Sequence, residues 1–121
     1  MILVDAANVV GSRPDGWWRD RPRAARNLVE AIRAAVGQGR LSGPVLVVLE
    51  GAARGGTEEG ALEGVSVVHA PRSGDDTLVA LAEEVPAGEP LIVVSADRQL
   101  RRRLAAGAET VGPRWLLDRL G

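Results

Sequence analysis

The chain of 121 residues contains no cysteine, no tyrosine, no phenylalanine and no lysine. Without cysteine there is no disulfide framework, no thiolate nucleophile and no sulfur-ligated zinc or iron site. Any metal must be held by oxygen donors or by the single histidine, His69. No stretch approaches the roughly 20 consecutive apolar residues that cross a bilayer, which excludes a membrane reading. The apolar start Met1 to Val4 runs straight into Asp5 instead of a cleavable signal, so the cytoplasm is the expected location. A formal net charge of −1 supplies no global field toward nucleic acid or an acidic membrane. The chain also lacks a Gly-x-x-x-x-Gly-Lys loop and a serine–histidine pair at an obvious spacing, so P-loop nucleotide hydrolysis and acyl transfer lose their usual equipment.

What is present suggests one domain spanning residues 1–121, long enough for a single shared core. Five short runs read as strands: Ile2 to Val4, Val45 to Leu49, Val65 to Val68, Leu91 to Val94, and Thr110-Val111. They are continuous and β-branched, as expected of parallel strands covered on both faces. Between them, apolar residues recur at helical spacing. The stripes are Ala25, Leu28, Val29, Ile32, Ala35 and Val36; Leu78, Leu81, Ala82 and Val85; Leu100 and Leu104; and Leu116, Leu117 and Leu120. Pro113 suits the first turn of the last helix. Glycine-rich Gly51 to Gly64 reads as a loop, with any helix there short and weak. The alternation predicts a three-layer α/β/α, Rossmann-like domain around a parallel sheet of about five strands.

In such a sheet, ligands bind outside the carboxyl ends of the strands. The first strand delivers Asp5 and then Asn8; the second, Glu50; the third leads through His69 and Ser73 to Asp75 and Asp76; the fourth reaches Ser95 and Asp97. Aspartates at the starts of helices can cap free backbone N–H groups, which offers a structural account of Asp75, Asp76 and Asp97. Capping does not account for Asp5, which ends a strand and is followed by Ala6, Ala7 and Asn8 without a helical pattern. Carboxylates gathered together repel unless a cation neutralises them, and hard oxygen donors select Mg²⁺ or Mn²⁺. An ion held there could polarise a phosphoryl oxygen and activate water, so the expected chemistry is phosphodiester hydrolysis.

Three motifs carry a family resemblance. Ile2-Leu3-Val4-Asp5-Ala6-Ala7-Asn8, Ser73-Gly74-Asp75-Asp76-Thr77-Leu78 and Val93-Val94-Ser95-Ala96-Asp97 resemble, in order and spacing, the PIN-like nucleases, and within them the NYN branch that includes YacP-like ribonucleases. The resemblance implies a PIN-like fold and metal-dependent cleavage of RNA, with Asp5, Asp75 and Asp97 as metal-binding acids. It implies further that Asn8 positions substrate or a water ligand, that Asp76 is a second acid of the same motif, and that the Ser95 hydroxyl orients the site. The sequence departs from the branch's pattern in two places. Ala6 and Ala7 stand where glycine and an aromatic are frequent, and Glu50 stands where a strand-ending aspartate is common. The chain stops at Gly121 without the C-terminal extension of some relatives, an arrangement that would leave RNA binding to a partner protein or a second copy.

All fifteen basic side chains are arginine. Arg13, Arg98 and Arg101 lie nearest the acids in sequence and are the expected phosphate contacts. Trp17 and Trp18 follow the Asp5 motif, where they could stack on bases of single-stranded RNA or plug the first long helix onto the sheet. His69 could act as an acid or ligand, although a lone histidine is more often packed or hydrogen-bonded. Two other classes compete with the nuclease. A catalytically silent RNA-binding or protein-interaction module would keep the acids as caps. A phosphoacceptor receiver domain shares the length and strand-end aspartate, but those domains resemble one another in a lysine that this chain lacks.

Overall fold

The structure, a computed structural model, describes all residues from Met1 to Gly121. Six strands form one sheet: β1 (Ile2–Asp5), β2 (Val45–Leu49), β3 (Gly60–Leu62), β4 (Val65–His69), β5 (Ile92–Val94) and β6 (Glu109–Val111). Their order is β3-β4-β2-β1-β5-β6. All neighbours are parallel except β3, which runs antiparallel to β4 at the edge. Five α-helices accompany the sheet: α1 (Ala6–Gly11), α2 (Arg21–Gly37), α3 (Gly74–Glu84), α4 (Arg98–Arg103) and α5 (Pro113–Leu120).

The central strands alternate between two cores. Ile2, Val4, Val45, Val47, Leu49, Val65, Val67 and Val94 pack with α1, α2 and α5 through Val9, Leu28, Val29, Ile32 and Leu116. Leu3, Val48 and Val93 pack on the other face with Leu78 of α3 and Leu100 of α4. Both faces are apolar, so the period of two is hidden in composition and appears only in the packing. This parity continues past the last apolar residue of each strand. Asp5 follows Leu3, Glu50 follows Val48 and Ser95 follows Val93 onto the α3–α4 face, where α3 and α4 begin at Gly74 and Arg98. His69 instead follows Val65 and Val67 toward the opposite face.

Two elements differ from the sequence expectation. Asp5 is followed by a short helix, α1, and its side chain accepts from the Asn8 amide as an N-cap. The helical signal consists of only Ala6 and Val9 buried one turn apart, too short to register as a stripe. Capping therefore does account for part of what Asp5 does. Gly51 to Gly64 is ordered into elements, a 3₁₀ turn at Gly51–Gly56 and the strand β3, instead of a loop. The β3–β4 hairpin turns through Glu63 at φ 50° and Gly64 at φ 85°. Two adjacent residues of positive φ match the twist of paired strands in a two-residue hairpin, and glycine takes the second at no steric cost.

Candidate active site

The strand order reverses between β1 and β5, because the chain builds outward through β2 and β4 and then returns to the other side of β1. The carboxyl ends of these two strands therefore open a crevice, the place where ligands bind in sheets of this kind. Asp5 and Ser95 meet across it. The buried Ser95 hydroxyl donates to Asp5 Oδ2 at 2.8 Å and accepts from the Asp97 amide at 3.2 Å. Asp5 Oδ1 receives the Asn8 amide at 3.3 Å. The Asn8 side chain crosses the same crevice, its Oδ1 accepting from the Ala96 amide at 2.8 Å, so α1 and the β5–α4 link are tied by two side chains. Asp97 caps α4, accepting from the Gln99 and Leu100 amides at 2.8 and 3.1 Å.

Glu50 reaches the crevice from β2. A β-carbon placed on Gly74 would lie 2.8 Å from Glu50 Oε1, so the Glu50 carboxylate packs directly over the start of α3 and would have to shift for any larger residue there. Ser73, and not an aspartate, caps α3, through the Asp76 amide at 3.4 Å. Asp75 and Asp76 are thus not caps. Asp76 turns outward to an exposed ion pair with Arg103 at 2.8 Å. Asp75 is half-buried.

Electrostatically the cluster is under strain of like charge. Asp5 is only 5% exposed. Burial pushes its carboxyl up to about 6, opposed by the Ser95 and Asn8 hydrogen bonds and reinforced by Asp75 and Glu50. Asp75 is raised by burial, then by Asp97 and Glu50, with Arg103 pulling the other way. The two ion pairs of the structure, Arg103–Asp76 and Arg114–Asp118, include none of Asp5, Glu50, Asp75 or Asp97. In donor chemistry the set suits a hard divalent cation, having carboxylate and hydroxyl oxygen without nitrogen or sulfur. In geometry the side chains stand apart, and no three acids lie close enough to hold one ion as they are oriented.

The other expected residues divide. Arg98 is exposed in the first turn of α4 beside Asp97. Arg101 spends its Nε on the Ser95 carbonyl at 2.8 Å, bracing the β5 end from behind. Arg13 lies beyond the far end of α1, sharing a cavity with Asp15, Asn27 and Leu117 and with none of the acids. Trp17 is half-buried and Trp18 is 54% exposed. Trp17 shares a cavity of about 320 Å³ with Ala6, Ala7, Arg21 and Glu50. His69 is a structural latch: its Nε2 lies 2.7 Å from the Thr57 carbonyl, and its amide donates to Glu59 at 2.6 Å.

Sequence reasoning missed Arg54, which donates from Nε to the Gly51 carbonyl and from Nη1 to the Ala70 carbonyl, joining the chain after β2 to the chain after β4. It also missed Arg21 beside Trp17 and Arg103 beside Asp76. No local signal separates these from the other arginines, since their distance to the crevice is set by strand order.

The fold is a three-layer α/β/α domain around a mostly parallel sheet, and it is similar to that of a solved YacP protein. The crystal structure of a point mutant of Rae1 (YacP) from Bacillus subtilis superposes with a TM-score of 0.73 over 98% of this chain and 73% of that one, at 21% identity. No protein-family model matches the sequence, and no curated protein matches it significantly.

Proposed function

We propose that this domain is a metal-dependent ribonuclease that hydrolyses phosphodiester bonds of single-stranded RNA at the β1–β5 crevice. The observation that carries the reading is the hydrogen-bonded run Asp5–Ser95–Asp97 across the switch point, with Glu50 and Asp75 facing it unpaired. The sharing of a fold with Rae1 (YacP) supports it, because the three motifs that resemble YacP-like ribonucleases fall at this crevice.

Asp5, Asp75 and Asp97 would hold Mg²⁺ or Mn²⁺, with Glu50 beside them, whereas Asp76 is engaged by Arg103. When bound, such an ion supplies charge that offsets the phosphoryl oxygens and acidifies water for attack. The protein's own groups prepare the site. Ser95 and the Asn8 amide hold Asp5 in one orientation, so the carboxylate spends little freedom on engaging a ligand. Burial and neighbouring acids keep Asp5 partly protonated near pH 6, so a cation competes with protons there and gains with rising pH. Asn8 keeps its side-chain NH₂ available after its oxygen is used, a donor for a phosphate oxygen. Arg98, exposed beside Asp97, would meet the RNA backbone. Single strands suit the crevice better than duplexes because their bases are free to stack and to present their edges.

The second reading, a catalytically silent module, is favoured by one observation: Asp5 and Asp97 each cap a helix, and no three acids converge. A single assay separates the two. Labelled single-stranded RNA is incubated with wild type, Asp5→Asn, Asp75→Asn and Asp97→Asn, in Mn²⁺ and in chelator. The nuclease requires Mn²⁺-dependent cutting by wild type and its loss in every variant; absence of cutting by wild type leaves the silent module.

A further inference from the structure

We infer that the cavity between α1, the start of α2 and the Gly51–Gly56 turn is a subsite for one unpaired nucleobase of the RNA strand, with Trp17 as its stacking wall and Arg21 at its rim. The inference rests on the ribonuclease reading for its substrate, and four observations carry it.

Position comes first. Ala6 and Ala7, which directly follow Asp5, line the cavity together with Glu50, so an occupant lies beside one of the crevice acids and one residue from another. Shape is the second. Ala6, Ala7, Ala25, Gly51 and Ala53 are all small, and together they leave about 320 Å³, the lower end of small-ligand sites. That space suits one planar ring system and is too small for a helix or an extended peptide. An aromatic wall is the third. Trp17 is half-buried against the cavity and stands edge-on to Trp18, with ring centroids 6.0 Å apart and planes at 88°. Charge is the fourth. The Arg21 guanidinium stands 5.4 Å from the Trp17 ring centroid and Arg19 stands 5.8 Å from that of Trp18; neither is in an ion pair. Both can turn to phosphate, and an arginine plane can also cover the second face of a stacked base. An aromatic side chain of a partner protein would fit the apolar walls but would leave these two guanidiniums without a counter-charge.

The test is binding of fluorescein-labelled single-stranded RNA in chelator, using a set of oligonucleotides with one abasic position moved along the strand. Trp17→Ala should bind roughly 5- to 100-fold more weakly, the usual worth of one base–aromatic stack, and Trp17→Phe should restore most of it. In wild type, one abasic position should cost a similar factor and cost nothing further in Trp17→Ala. Ala7 is exposed, so Ala7→Leu can fill the cavity without entering the core and should reproduce the loss even if the tryptophan variant folds poorly. Undiminished binding by folded Trp17→Ala or by Ala7→Leu overturns the subsite, as does an abasic scan without a position that depends on Trp17, or a wild type that does not bind RNA. If wild type shows the Trp17-dependent abasic pattern yet does not cut RNA in Mn²⁺, the subsite stands and the nuclease reading falls.

Discussion

The two ends of the sheet differ in a way that cavity size alone would misread. The largest cavity, about 790 Å³, lies at the amino end of β5 against Leu91, between the last turns of α3 and the α4–β6 link. Among the residues lining it are Val79, Ala82, Val85, Leu104 and Ala108, with Arg103 and Glu83 at its margin and none of the crevice acids. The carboxyl end has individually smaller cavities, about 540 Å³ beside Asn8 and Ala96 and about 320 Å³ beside Trp17 and Glu50, but concentrates a buried aspartate, a buried serine and three further unpaired acids. Burying charge is expensive, whereas a groove between helices needs no such expense. The end where the fold tolerates costly polar groups is the end to which function is assigned, by electrostatics and not by volume.

The largest effect expected from breaking this contrast is on cleavage. Asp97→Asn retains an oxygen that can cap α4 but removes a negative donor, so Mn²⁺-dependent cutting should fall by about 100-fold or more. Gel-resolved single-turnover cleavage measures it, and activity surviving at the wild-type rate would assign the chemistry elsewhere. Ser95→Ala should lose about 10- to 100-fold, the usual cost of removing a group that orients a metal ligand. Because Ser95 touches Asp5 and not the substrate, this loss should shrink when Mn²⁺ is raised; a loss independent of metal concentration would show a different role.

A third expectation concerns stability without metal. The folded carboxyl of Asp5, at about 6, lies above its ordinary value of 3.8. Between these values the folded protein holds more proton than the unfolded chain, so this group's contribution to stability falls as pH rises from about 4 to about 6. Above pH 6 the penalty is complete, about 2 to 3 kcal/mol for a shift of this size. In chelator, Asp5→Asn should therefore melt higher than wild type at pH 7.5, with the difference closing toward pH 4. A difference constant across that range would show that Asp5 carries no burial penalty. For wild type at pH 7.5, Mn²⁺ well above its dissociation constant should raise the melting temperature by a few degrees relative to equal ionic strength of monovalent salt, since binding only the native state stabilises it. The smallest effect is expected at the opposite end of the sheet. Ala105→Leu, from an exposed position, partly fills the 790 Å³ cavity and should leave cleavage within about twofold, like most surface substitutions. A large loss would bring that groove into the mechanism.

Much of this molecule was legible before folding because its signals are local. Helix stripes such as Ala25–Leu28–Val29–Ile32 and the placement of Pro113 at the start of α5 follow from the geometry of one helix, and both appear as expected. The β-branched runs announced the parallel strands, and the residues after them marked Asp5, Glu50, Ser95 and Asp97 as a group at strand ends. Other features depended on partners distant in sequence. That β1 lies between β2 and β5, so that Ser95 reaches Asp5 from 90 residues away, is a matter of strand order. The same order carries His69 to the wrong face and turns Asp76 outward to Arg103. It also sets Glu50 against Gly74 and encloses the Trp17 cavity between three separate elements. By itself the sequence determined the longer helices, the parallel strands and which acids end them, though not α1 or β3, because torsional preference and apolar period act over a few residues. Only the tertiary structure decided which acids share a crevice, because with both faces of the strands apolar, side-chain parity and neighbour choice emerge only when the sheet is assembled.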